Sequence, residues 1–188
     1  LESTKKMAAL VEKGGGRFID APMPRTAKHA HEGKLNLLVG GPAETLEEVR
    51  PVLACFAENI THAGPLGAGH RMKLLHNYVS LGFVTLLAEA SACARRSEVS
   101  LDVFVDVLAS GGGAGAALER LKPFLLANDS SGLQFSISNA LKDLGYYTQM
   151  AQDAGAAHGV AEAVRETLAQ GVEQGGKQAM LPELAGML

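Results

Sequence analysis

From about residue 70 to residue 96 the apolar positions recur at helical spacing over roughly seven turns. That is far longer than the average helix of about 11–12 residues. Small residues at Ser80, Gly82, Ala88, Ala90 and Ala92 suit close packing against other helices. The sequence that follows supplies the partners. Helical patterns run over residues 101–109, over 115–121 as far as Pro123, over 138–154 with Asn139 or Ser138 as the cap, and over 160–172. Residues 175–188 are weakly patterned, and no strand signal is found beyond residue 63.

The residues before the long helix read differently. A helical stretch over 6–13 closes at Gly14-Gly15-Gly16, and short strands are expected over 17–23, 35–39 and 59–62. Between the last two lies a helix over 43–56, with Glu44, Glu47 and Glu48 in its first turns, where the helix dipole favours acidic side chains. The order helix, strand, strand, helix, strand is the ending of an α/β domain. The chain therefore reads as mainly α: residues 1–63 complete an α/β domain, and residues 64–188 form an all-α helical bundle entered through one long interdomain helix.

Composition narrows the function. The 188 residues carry a net charge of −3 and contain no basic block interleaved with aromatics, so nucleic acid is not an expected partner. The apolar runs are interrupted well short of a span of roughly 20 residues, and no signal peptide is legible, so no membrane association is expected. Cys55 and Cys93 lack metal-type spacing and read as reduced thiols of a cytoplasmic protein. The chain opens on Leu1 and runs at once into a helical pattern, as expected of a piece of a longer protein.

The chemistry concentrates in Gly67-Ala-Gly69-His-Arg-Met-Lys73-Leu-Leu-His-Asn77. A glycine turn opens the long helix, which then carries Lys73 and Asn77 four residues apart, on one face. A positioned ammonium can take or give a proton, and an amide one turn on can hold the group that supplies it. His70, three residues before Lys73, is within reach of the same site. His29-Ala-His31-Glu32 offers two imidazoles in a polar loop without a third ligand placed by sequence, so no metal site is expected.

Four stretches, in order and at matching separations, resemble the C-terminal part of the β-hydroxyacid dehydrogenases, the family of 3-hydroxyisobutyrate dehydrogenase and, more distantly, 6-phosphogluconate dehydrogenase. Phe18-Ile-Asp-Ala-Pro22 resembles the family's substrate-binding strand end, and Gly33-Lys-Leu-Asn-Leu-Leu-Val-Gly-Gly41 the strand and turn after it. The Gly67–Lys73 stretch with Asn77 resembles the catalytic-lysine motif, and Leu141-Lys142-Asp143-Leu144 the lysine-aspartate motif of a later helix.

The resemblance implies a Rossmann-type domain binding NAD or NADP, joined by the long helix to a helical domain that completes the active site and forms a homodimer. It implies that residues 1–63 are the last part of that cofactor domain, whose phosphate-binding turn would lie upstream of Leu1. It also implies roles: Lys73 as general acid/base, Asn77 holding the substrate's hydroxyl or carboxylate, and Lys142 and Asp143 on the cofactor. Where many relatives have Ser-Gly-Gly at the substrate, this chain has Pro24-Arg25-Thr26. The Arg25 guanidinium offers a bidentate fork to an anion, and Thr26 restores a hydroxyl.

The implied activity is hydride transfer between nicotinamide and a small anionic β-hydroxyacid or its aldehyde-acid counterpart. The alternative is a non-catalytic dimerisation or ligand-binding module that retains the helical half of the fold. An imine-reducing relative is disfavoured, because imine reductases of this build commonly carry Asp or Tyr where Lys73 stands.

Overall fold

The computed structural model describes residues 2–24 and 27–188, which fall into two compact units, Leu1–His76 and Asn77–Leu188. In the first unit, helix α1 (Glu2–Lys13) ends at the glycine triplet, and a short helix α2 (Ala27–His31) precedes strand β1 (Leu35–Gly40). Helix α3 (Ala43–Leu53) then crosses to strand β2 (Ala57–Gly64), which pairs parallel to β1 with Leu37 opposite Ile60. Helix α4 (Ala68–Arg96) begins in this unit. Leu35, Leu37 and Val39 point from one face of β1 into a core with Leu46 of α3 and Ala57 of β2, as the period of two in a strand requires.

The strand expected over 17–23 is reduced to a single antiparallel bridge. Asp20 and Gly40 exchange both backbone hydrogen bonds, at 2.9 and 2.8 Å, and Leu38 N–H donates to Pro22 O at 3.1 Å. Pro22 and Pro24 have no N–H to continue a ladder. The helix expected to reach residue 56 stops at Leu53, and the strand expected over 59–62 is longer at both ends.

In the second unit, the remainder of α4 is followed by α5 (Leu101–Ala109), α6 (Ala116–Ala127), α7 (Ile137–Asp153), α8 (Gly159–Gly175) and the single turn α9 (Leu184–Met187). Ser100 caps α5 by accepting from Val103 N–H at 3.3 Å. The cap of α7 is Ser136, accepting from Asn139 N–H at 3.3 Å, rather than Ser138 or Asn139. Helix α6 does not stop at Pro123 but runs through it to Asn128, which ends the helix in the left-handed conformation at φ 54°. Leu118 and Leu121 before the proline and Leu125 after it are all buried, so burial on both sides outweighs the proline's cost of about 3 kcal/mol.

The weakly patterned tail is part of the core. Leu181 and Leu184 are fully buried, as are Ile137 and Leu144 of α7 and Leu168 of α8. Two backbone bonds hold the tail in place, Ile137 N–H to Ala179 O at 2.9 Å and Leu181 N–H to Phe135 O at 2.8 Å. A Cβ on Gly171 of α8 would fall 2.6 Å from Cδ1 of the buried Leu184, which would have to shift to make room. Along α4, Leu87 is buried but Phe83 and Leu86 are 58% and 63% exposed, so the apolar stripe divides between core and open surface.

Candidate active site

The start of α4 is held by a buried carboxylate that lies 47 residues earlier in the chain. The Asp20 side chain is fully buried. Its Oδ1 accepts from Gly67 N–H at 2.6 Å, and its Oδ2 accepts from His70 N–H at 2.8 Å. These are among the N–H groups that a helix leaves without internal partners at its start, and the helix dipole adds to their attraction for an anion. Burying the carboxylate is tolerable because every bond it accepts lowers the cost of desolvation.

The glycines of the motif make this docking possible. Gly67 sits at φ 83°, a conformation that other residues adopt only with strain. A Cβ on Gly69 would overlap Leu38 O and lie 2.8 Å from Asp20 Oδ2, and one on Gly40 would lie 2.8 Å from the amide nitrogens of Ala68 and Gly69. The helix end therefore rests backbone to backbone on the end of β1, with Asp20 beside the junction. Sequence reasoning placed Asp20 in a recognisable stretch but not in this role. An aspartate before Ala-Pro, together with a Gly-x-Gly helix start, was the available signal, and only the fold brings the two together.

Asp20 also holds a side chain. His70 Nδ1 lies 2.9 Å from Asp20 Oδ2, and the imidazole is 44% exposed. The ring borders a shallow cavity of ≈ 390 Å³, whose walls are Ser3, Thr4, Met7, residues 18–22 and His70. Lys73 does not line this cavity; it stands one turn further along α4, half-buried. Among the described residues its ammonium makes no hydrogen bond or ion pair.

Asn77 lies one turn beyond Lys73, also half-buried, and its Nδ2 donates to Asp143 Oδ2 at 2.9 Å. Asp143, on α7, is largely buried, and its other oxygen lies 3.4 Å from Lys142 Nζ; the Lys142 side chain is 53% exposed. Residues 70, 73 and 77 thus form a polar row on one face of α4. Within the first unit Asp20 holds the His70 imidazole one turn before Lys73; within the second, Asp143 holds the Asn77 amide.

Of the other expected site residues, Pro24 is half-buried in irregular backbone, while Arg25 and Thr26 lie outside the described residues. Among the described residues no group of three or more His, Cys, Asp or Glu could hold a metal ion, and no helix is long and apolar enough to cross a membrane. Cys55 and Cys93 are free, exposed thiols.

The family model described as the NAD-binding region of NADP-dependent 3-hydroxyisobutyrate dehydrogenase matches residues 67–187, and that of the NAD-binding domain of 6-phosphogluconate dehydrogenase matches residues 1–64. The chain belongs to the β-hydroxyacid dehydrogenase family.

Among curated relatives, 3-sulfolactaldehyde reductase of Escherichia coli is 33% identical over 168 residues, which are 89% of this chain and 56% of that protein. An NAD-dependent L-serine dehydrogenase of Pseudomonas aeruginosa is 32% identical over 157 residues, 80% of this chain and 52% of that protein. The chain thus spans about half the length of these relatives. Among solved structures, 3-hydroxyisobutyrate dehydrogenase of Mycobacterium tuberculosis with L-serine superposes with a TM-score of 0.88 at 26% identity, over 98% of this chain and 65% of that one.

Proposed function

We propose that the whole protein to which this chain belongs transfers hydride between NAD(P) and a small anionic β-hydroxyacid or its aldehyde-acid counterpart, with Lys73 as the general acid/base. The observation that carries this reading lies in the first unit: the half-buried Lys73 ammonium has no partner among the described residues and stands one turn after His70, which a buried carboxylate holds. A structural lysine is normally neutralised or turned out into water; one left half-buried beside a fixed polar group is available to a ligand. The relatives support the substrate class, since they include a 3-sulfolactaldehyde reductase and a 3-hydroxyisobutyrate dehydrogenase.

When bound, the nicotinamide would supply the hydride acceptor in the oxidising direction and, in its reduced form, the hydride donor in the reducing direction. A phosphate-cradling turn is not formed by the glycines after β1, because the start of α4 and Asp20 occupy the space beside Gly40. The cofactor contacts proposed for the described residues are those of its reactive end: the exposed Lys142 ammonium, paired with Asp143 at 3.4 Å, and Asp143 itself, which also holds Asn77.

In the oxidising direction Lys73, in its neutral form, removes the hydroxyl proton as hydride leaves the carbon. In the reducing direction its ammonium returns that proton to the carbonyl oxygen. Asn77, oriented by Asp143, donates to the substrate oxygen, and the 24–26 segment, with the Arg25 guanidinium, receives the anionic group. The apolar groove of α4 and α8, walled by Val79, Phe83, Leu86, Val160 and Val164, supports a homodimer through the helical part.

The test is a nicotinamide-reduction screen of the whole protein against small hydroxyacids, repeated with Lys73→Ala. We expect turnover with at least one β-hydroxyacid and a loss of about a hundredfold or more in kcat in the variant, at nearly unchanged cofactor affinity. A folded variant that keeps near-normal turnover would remove Lys73 from the mechanism.

A further inference from the structure

The cavity beside His70 and the tethering of that ring suggest how this chain chooses among substrates of the proposed class. Both Asp20 oxygens already accept backbone N–H groups, from Gly67 and from His70. The carboxylate therefore has only acceptor capacity to offer the imidazole. The bond at Nδ1 requires the proton on Nδ1, and this leaves the lone pair of the neutral ring on Nε2. Nε2 has no partner among the described residues. The ring borders a cavity whose other walls are mostly apolar, from Met7, Phe18, Ile19, Ala21 and Pro22, with the hydroxyls of Ser3 and Thr4 at one side. In its neutral form His70 therefore offers an acceptor at Nε2 of a ring that borders this cavity, about 5–6 Å between Cβ atoms from Lys73.

We propose that His70 is a specificity-determining residue: its Nε2 accepts a hydrogen bond from a hydroxyl or amine on the substrate carbon next to the one that reacts at Lys73. The proposal rests on the hydride-transfer reading above. Two side chains one helical turn apart match polar groups on neighbouring carbons. An analogue with a methyl at the same place leaves a desolvated acceptor unsatisfied, the situation in which a polar site discriminates most strongly. His70 is a suitable position to vary, because Asp20 keeps both of its backbone donors when the imidazole is removed.

The probes are glycerate, which carries a hydroxyl on C2, and 3-hydroxyisobutyrate, which carries a methyl there and is otherwise nearly the same shape. In the whole protein, kcat/KM should favour glycerate. His70→Phe, which keeps a ring but no acceptor, should lower that preference by about tenfold or more through KM for glycerate, with 3-hydroxyisobutyrate changed less than about twofold. His70→Gln, whose amide oxygen can accept, should restore most of it. A wild-type protein with no preference, or a folded His70→Phe variant that keeps it, would overturn the proposal.

A binding experiment separates this idea from the activity reading. Titration of the whole protein with glycerate should move the His70 imidazole resonances in NMR spectra, and 3-hydroxyisobutyrate should not. That result in a protein without turnover would retain the selecting role and reject the dehydrogenase reading. Turnover with no His70 response to glycerate would do the reverse.

Discussion

Replacing Asp20 with alanine tests the central geometric claim, that one buried carboxylate holds the start of α4. The substitution removes an acceptor from Gly67 N–H at 2.6 Å and from His70 N–H at 2.8 Å, and leaves the first of these buried. A hydrogen bond to a charged group contributes about 1.5–3 kcal/mol, and an abandoned buried donor costs about 1–3 kcal/mol. The terms overlap, so the expected loss is about 3–5 kcal/mol, with about 1–3 kcal/mol for Asp20→Asn, which keeps one acceptor oxygen. The readout is native-state hydrogen exchange of peptides covering residues 64–72. A loss of 3 kcal/mol accelerates exchange of the Gly67 and His70 amides by roughly a hundredfold or more. The chain provides its own control: it has no Trp, and Tyr78, Tyr146 and Tyr147 all lie in the second unit. Tyrosine fluorescence therefore reports that unit and should change little. Exchange at Gly67 and His70 within about threefold of the parent would show that the carboxylate is not what holds the helix end.

Other consequences are as direct. Gly69→Ala should destabilise the first unit by about 2 kcal/mol or more, since the new methyl would overlap Leu38 O; chemical denaturation followed by far-UV circular dichroism checks this, and an unchanged midpoint would contradict the backbone docking. The Tyr78 phenol, which stacks on Tyr147 at 4.1 Å, is pushed above its ordinary value of 10.0 by burial and by the neighbouring phenol. Its contribution to stability is therefore fully present below pH 10.0 and is lost as pH rises through the folded-state value. Ultraviolet titration should show Tyr78→Phe removing a phenol that ionises above pH 10.0. Asp129, held by the backbone N–H and hydroxyl of Ser131, is pushed below its ordinary value of 3.8, so what it adds to stability is present above that pH and fades as pH falls through the folded-state value. Asp129→Asn should flatten that part of the acid-unfolding curve. Sedimentation should show self-association that Leu86→Glu weakens; a parent that stays monomeric at high micromolar concentration would count against the homodimer.

Much of this protein is set by short-range pattern. The glycine-opened long helix, the two short strands with a helix between them, and the i, i+4 placement of Lys73 and Asn77 were legible because a period of 3.6 or 2 and a breaker residue are local properties of the chain. What tertiary structure decided lies wherever a residue's partner is distant in sequence. Pro22 and Pro24 left only the Asp20–Gly40 bridge where a strand was expected. Helix α6 passes through Pro123 because leucines on both sides of it are buried, and the faintly patterned tail is core because α7 and α8 bury Leu181 and Leu184. The same holds at the candidate site. Sequence placed His70, Lys73 and Asn77 along one helix, but the carboxylates that hold the first and last come from 50 residues before and 66 residues after. Such pairings leave no periodic trace, because hydrogen-bond geometry between elements is fixed by how backbones pack, and packing is a property of the folded chain as a whole.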